Sequence, residues 1–215
     1  GIGLPEEKVL VMPDGVDLSL FKNQEAITGG STFAEVLNKP AGKAWAVYAG
    51  HLYEWKGIRT LLDASRHTPI DLEIVVVGGL PEDVARWKSY CREGCLRSIR
   101  FVGHICPTQV PAYLEKAEVL VLPNSGKTDI SRYYTSPLKL FEYMASSRPI
   151  VASRLPSLQE VLVEGHDAIM FEPDNPVDLG EKITSLLKDP SVGVTLSQNA
   201  RRKVEGYSWE ARAKR

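Results

Sequence analysis

The sequence predicts an α/β fold built on a doubly wound parallel sheet, and three observations carry that expectation. Short apolar runs rich in β-branched residues alternate with helical stretches along most of the chain. The apolar runs are continuous rather than alternating, as strands covered on both faces require. The connections are short, so each strand–helix–strand unit is expected to cross over right-handedly within one sheet, with ligands outside the carboxyl ends of the strands.

In chain order, strands are expected at KVLVM (8 to 12), AWAVYAG (44 to 50), LEIVVVGG (72 to 79), IRFVG (99 to 103), EVLVLP (118 to 123), PIVAS (149 to 153) and AIMF (168 to 171). Helices are expected between them at GIRTLLDASRH (57 to 67), PEDVARWKSYCREG (81 to 94), PTQVPAYLEKA (107 to 117), SPLKLFEYMASS (136 to 147) and NPVDLGEKITSLLKD (175 to 189). From Pro190 the chain is polar and helical in pattern. The stretch from Gly29 to Lys43 contains Gly29, Gly30, Pro40 and Gly42 and reads as a linker or surface excursion. The expected division is therefore a leading segment, 1–43, a sheet-bearing core, 44–190, and helices of the same domain, 191–215.

With 215 residues, 43% hydrophobic and 25% charged, the chain can bury a substantial core. A net charge of -1 gives no basic excess that would draw it to nucleic acid or anionic lipid, so any anion site must be local. Cys91, Cys95 and Cys106 are odd in number and lack the second pair of a zinc site, which points to a reducing cytoplasm. No apolar run approaches the roughly 20 residues that span a bilayer. The opening GIGLPEEKVLVMPDGVD has no initiating Met and reads as the middle of a longer protein.

Several motifs fail on inspection. NSGKT (124 to 128) carries the Gly-Lys-Thr of a phosphate loop, but Val121 stands where the earlier glycine is required, so a mobile polar loop is expected. VVVGGL (75 to 80) ends a strand in two glycines without completing a dinucleotide fingerprint; a plain turn and a close approach of backbone to a ligand stand even. His51, His67, His104 and His166 are dispersed, and there is neither a His-Glu-x-x-His helix nor a Gly-x-Ser-x-Gly elbow.

Two stretches can hold an anion. In TSPLKLFEYMA (135 to 145), Ser136 suits an N-cap and Pro137 a first helical position, leaving the amides of Leu138 and Lys139 free at the positive end of the helix dipole. Lys139 opposes that dipole, a cost an anionic ligand would offset; the competing reading pairs it with Glu142 across a solvated face. YAGHLYEWKGIRTLL (48 to 62) ends a strand at Gly50 and then presents His51 and Lys56 in a loop, charges suited to a diphosphate.

Eight blocks, PDGVD (13 to 17), YAGHLYEWKG (48 to 57), VVVGG (75 to 79), FVGH (101 to 104), AEVLVLP (117 to 123), SPLKLFEYMASSRPIVAS (136 to 153), LPSLQEVLVEGHDAIMFEPDNP (155 to 176) and YSWEARA (207 to 213), follow in order along nearly the whole chain. Together they resemble the landmarks of the group 1 glycosyltransferases, the retaining, nucleotide-sugar-dependent enzymes of glycosyltransferase family 4. The resemblance implies one half of a GT-B enzyme, the Rossmann-like C-terminal domain that binds the donor. An N-terminal domain binding a glycan or lipid-linked acceptor would precede it and would carry any peripheral membrane contact.

It further implies that Lys56 neutralises the donor diphosphate, with His51 beside it where the family often has arginine, so that neutralisation is expected to depend on pH. The amides of Leu138 and Lys139 would hold the phosphate, Glu142 the ribose hydroxyls, and the backbone of Val102, Gly103 and His104 the nucleobase edge. Glu142 stands as the second glutamate of the family's Glu-x7-Glu motif; at the first, the chain has Tyr134. Neither metal nor cofactor is implied, and the fragment alone is expected to lack turnover. A nucleotide-sugar 2-epimerase of the same architecture and a non-catalytic nucleotide-sugar-binding module are the alternatives.

Overall fold

The computed structural model describes residues 14–21, 37, 39–136 and 138–214. The expected strand at residues 8–12, most of the expected linker and Pro137 lie outside them. Six strands form one sheet: β1 (Ala44–Ala49), β2 (Leu72–Val77), β3 (Ile99–Gly103), β4 (Val119–Leu122), β5 (Ile150–Ser153) and β6 (Ile169–Phe171). Every pairing is parallel and the order is β3-β2-β1-β4-β5-β6. That is the doubly wound order, whose direction of winding reverses between β1 and β4.

The uninterrupted apolar runs have a direct cause. Trp45, Val47 and Ala49 of β1 point into one core layer, Ala46 and Tyr48 into the other, and all five are at most 3% exposed. The first layer is closed by α3 (Val110–Lys116), α4 (Leu138–Ala145) and α7 (Pro190–Val204), through residues such as Leu114, Phe141 and Ala200. The second is closed by α1 (Ile58–Ala64), α2 (Pro81–Glu93) and α6 (Pro176–Lys188), through Leu61, Trp87 and Ile183. Burying side chains on both faces of every central strand is the main source of stability here.

Helix boundaries follow capping chemistry. Asn175 accepts from the amides of Val177 and Asp178 to start α6, and Asp189 accepts from Ser191 to start α7, each with proline at the first helical position. The expected helix at 57–67 ends earlier than its pattern, at Ala64, and passes into a 3₁₀ turn, Ser65–His67. Similarly, residues 107–109 form a 3₁₀ turn and α3 begins only at Val110. A single π-helical turn, Ile130–Tyr134, and a short helix α5 (Pro156–Gln159) add to the expected elements, and α8 (Trp209–Ala213) closes the chain.

NSGKT is not the mobile loop expected of it. Asn124 and Ser125 are 3% and 4% exposed, the Ser125 amide donates to the Trp55 carbonyl at 3.0 Å, and the Gly126 amide donates to Asp174. At the other end, Val16 bridges to Ser208, its amide bonding the Tyr207 carbonyl and its carbonyl accepting from Trp209, so residues 14–21 lie against the C-terminal helices. Among the described residues no helix is long and apolar enough to cross a membrane.

Candidate functional site

A crevice opens where the winding reverses. β1 pairs with β2 along its whole length, to Ala49 opposite Val77, but with β4 only through Ala46 and Val47. Beyond that point the two strands part, and the loops after β1, β2, β3 and β4 enclose the gap together with the start of α4. Two clefts of about 320 Å³ each share Ala49, Gly50, His51 and Lys139. The first is completed by Asp14, Tyr48, Lys56, Leu122, Asn124, Ser136 and Leu138, the second by residues that include Gly78, Gly79, His104 and Pro107. A third hollow of about 240 Å³ adjoins the first cleft across Leu138 and the second across Pro107 and Val110, and contains Asp17, Phe21, Glu142 and Trp209 in its wall.

Gly50, His51, Lys56, Ser136, Leu138 and Lys139, drawn from segments up to 89 positions apart, thus line one cleft. His104 lies in the second cleft and Glu142 in the third hollow. Val102 packs against the core, and the Gly103 carbonyl accepts the Gly78 amide at 2.8 Å, a bond between the ends of β2 and β3. Gly78 and Gly79 line the second cleft, and Gly78 is also pressed by the neighbouring loop. With φ at +108°, an added Cβ would stand 2.3 Å from the Gly50 carbonyl oxygen, so this close approach is to the neighbouring loop's backbone.

Ser136 has a partner outside the helix that the sequence did not signal. α4 begins at Leu138, and the Ser136 hydroxyl accepts from the Asp14 amide at 3.1 Å, tying the leading segment to the rim of the cleft. Asp14 had no signal of its own beyond its place in PDGVD. The first-turn amides of α4, Leu138 and Lys139 included, have no acceptor within the helix and sit at its positive end.

The two lysines differ. The Lys139 ammonium bonds Glu142 at 2.7 Å, both side chains about one-third exposed, so the pairing weighed against an anion site at the sequence level does form. Lys56 forms no ion pair with any described residue. Its ammonium lies 4.2 Å from the Trp55 ring centroid, and burial pushes its pKa below the usual lysine value of 10.5. His51 stacks on Tyr53 at 5.2 Å, and Tyr53 on Trp55 at 6.2 Å, making a short aromatic ladder that leads to Lys56. Gly57 then ends the turn in the left-handed region, with φ at +75°.

Charge is divided between the hollows. The first cleft carries Lys56, Lys139 and His51 against Asp14, whereas the third carries Asp17 and Glu142 with no Lys or Arg in its wall. The first cleft can therefore hold an anion, whereas the third hollow carries only acidic charge among its described residues. Among the described residues no three His, Cys, Asp or Glu side chains come together as a metal site.

Residues 43–189 match the family model described as "Glycosyl transferases group 1". An uncharacterised glycosyltransferase of Methanocaldococcus jannaschii is 25% identical over 189 residues, covering 88% of this chain and 51% of that protein. Sucrose-phosphate synthase from Thermosynechococcus elongatus superposes with a TM-score of 0.77 at 28% identity, over 94% of this chain and 49% of that one. The Anabaena protein HepE, solved in complex with UDP and glucose, does so with a TM-score of 0.75 at 20% identity, over 96% and 54%. The chain thus spans about half the length of the relatives it matches.

Proposed function

We propose, from the premise that the chain belongs to the group 1 glycosyl transferases, that it is the donor-binding half of a retaining enzyme. That enzyme would move a hexose-type sugar from a nucleotide sugar to a glycan or glycolipid acceptor. One observation carries the reading: Lys56 is a partly buried cation in the wall of a cleft at the carboxyl ends of the strands, with no ion pair among the described residues. A charge kept there against its desolvation cost is best accounted for by an anionic ligand.

In this reading Lys56, His51 and the first amides of α4 take the diphosphate, and Glu142 takes the ribose hydroxyls. Gly50 leaves room for the phosphates, and the backbone from Val102 to His104 faces the base. Positive charge fixed before the reaction stabilises the leaving diphosphate as the glycosidic bond breaks with oxocarbenium character, without recourse to a metal. Lys139 must exchange Glu142 for phosphate, or share it. Tyr134, 79% exposed where the family's first glutamate would be, is the departure that favours a module able to bind donor but not to transfer sugar. The epimerase alternative is the less favoured, because the relatives the chain matches are glycosyltransferases. The unpaired Cys91, Cys95 and Cys106 fit a cytoplasmic setting, with acceptor and membrane contacts left to a preceding domain.

Calorimetric titration with UDP, GDP and ADP, each alone and as its common sugar conjugate, tests the function. The 215-residue chain is expected to bind one series and transfer nothing, and Glu142→Ala to weaken that binding about tenfold with the fold intact. Binding of none of the three, or sugar transfer by the chain alone, overturns the assignment.

The pH profile tests the lysine separately. A nucleotide sugar's diphosphate diester keeps its charge through neutral and alkaline pH, but a uracil or guanine ring loses a proton on the alkaline side, so the part of a change in affinity there that Lys56→Met abolishes is the part that belongs to this lysine. Lys56 binds phosphate only when protonated, and its pKa is lowered; affinity should therefore fall as pH rises on the alkaline side, below the 10.5 of an ordinary lysine. A profile that Lys56→Met leaves unchanged removes Lys56 from the site.

A further inference from the structure

Two buried phenols that the proposed chemistry does not use lie at the crevice, Tyr48 in its wall and Tyr143 behind Ala49. Where β1 leaves β4, its amides on that side lose their strand partners. Gly50 donates to Val77 of β2, so the preceding amide, Ala49, points the other way, into the gap. There it donates to the hydroxyl of Tyr143 at 2.7 Å. Tyr143 belongs to α4, one turn beyond Lys139, and its side chain is fully buried. From the strand itself, Tyr48, 3% exposed, donates its hydroxyl to the His51 carbonyl at 2.6 Å. Burial raises both phenols above the usual tyrosine range, so each stays a neutral O–H group.

We propose that Tyr143, seconded by Tyr48, is a positioning residue that sets the spacing between the two halves of the anion site. One half, Gly50, His51 and Lys56, is carried on the loop after β1. The other, the first turn of α4, comes from a segment more than eighty positions later. The Tyr143 hydroxyl is a direct polar bond between them, placed where the sheet's own ladder has ended. Without it a buried amide is left unsatisfied, and the loop must move to find water or another acceptor. The proposal rests on the reading of this cleft as a diphosphate site, and a hydrogen-exchange measurement separates the two.

The experiment compares the 215-residue chain with Tyr143→Phe, which keeps the ring and removes the hydroxyl. Without ligand, amide exchange at Ala49 and through residues 50–57 should accelerate about tenfold, while β2 and β5 stay within about twofold. Affinity for the bound nucleoside diphosphate should drop about tenfold and that for the matching nucleoside should not change, a split that general loosening of the fold would not give. Tyr48→Phe should reproduce the loss more weakly. Unchanged exchange from Ala49 to Gly57 overturns the proposal whatever the ligand does. Unchanged diphosphate affinity with faster exchange overturns the positioning role. If wild type binds no nucleoside diphosphate, the functional reading falls and takes the ligand half of the proposal with it, while exchange still decides whether the hydroxyl holds the loop.

Discussion

Lys56→Met should weaken binding of the donor nucleoside diphosphate by about thirtyfold or more and leave the chain at least as resistant to urea as the wild type. Both halves follow from one fact. The ammonium is partly desolvated, has no ion pair among the described residues, and rests against the Trp55 ring. Its hydrogen bonds to a diphosphate would be charge-assisted, worth about 1.5–3 kcal/mol in a closed site. The folded state, by contrast, gains nothing from a charge it must partly bury, and methionine fills the same space over the indole. The linkage has the matching sign. A lysine whose folded pKa is depressed costs stability while it is protonated in the unfolded chain, and the cost fades as pH rises through the folded value and beyond. Urea denaturation at neutral pH together with titration of the ligand checks both. A loss of affinity below about threefold would remove Lys56 from the site, and a large loss of stability would make it a structural residue.

How much of this was legible beforehand depends on how far a signal reaches along the chain. All six described strands coincide with apolar runs in the sequence, because a central strand buried on both faces needs nothing but local composition to be seen, and the half-buried edge strand β3 keeps enough of that composition. The lysine and glycine of YAGHLYEWKG, and the Lys139–Glu142 pair at three residues' spacing, are likewise local. The Asp14–Ser136 bond spans 122 positions and the Ala49–Tyr143 bond 94, and no periodicity encodes either. Tyr143 reads in sequence as one more apolar position on the buried face of α4. Only the topology, which parts β1 from β4 above it, gives its hydroxyl an amide to accept.

The misjudged boundaries have physical causes too. Pro111 stands two residues into α3, and the pattern at 107–117 is helical throughout, yet residues 107–109 close as a 3₁₀ turn first. The π-helical turn at Ile130–Tyr134 leaves Ile130, Tyr133 and Tyr134 exposed, so it lacks the apolar stripe that marks a helix in sequence. The polar look of NSGKT concealed a different kind of order: Asn124 and Ser125 are buried by contact with the loop after β1, whose carbonyl at Trp55 receives the Ser125 amide.

That contact makes Gly57→Ala the most damaging single methyl group in the region. Gly57 lies between Lys56 and α1 with φ at +75°, and a Cβ added there would stand 1.7 Å from the Pro123 carbonyl oxygen and 2.5 Å from its carbon. The left-handed conformation alone costs an alanine roughly 1–2 kcal/mol. The overlap adds to it, because the opposing atoms are backbone at the end of β4 and cannot rotate away. Either the loop after β1 must lift or β4 must shift, and both break the Ser125–Trp55 bond. We expect a loss of about 3 kcal/mol or more in urea denaturation. With it should go most of the nucleoside-diphosphate affinity, since Lys56 moves with the loop. A loss of about 1 kcal/mol or less would leave room only for the backbone strain, and would mean that the loop carrying Lys56 is not held rigidly against β4. A variant that folds almost as well as wild type and still fails to bind would instead locate the whole effect in where Lys56 points.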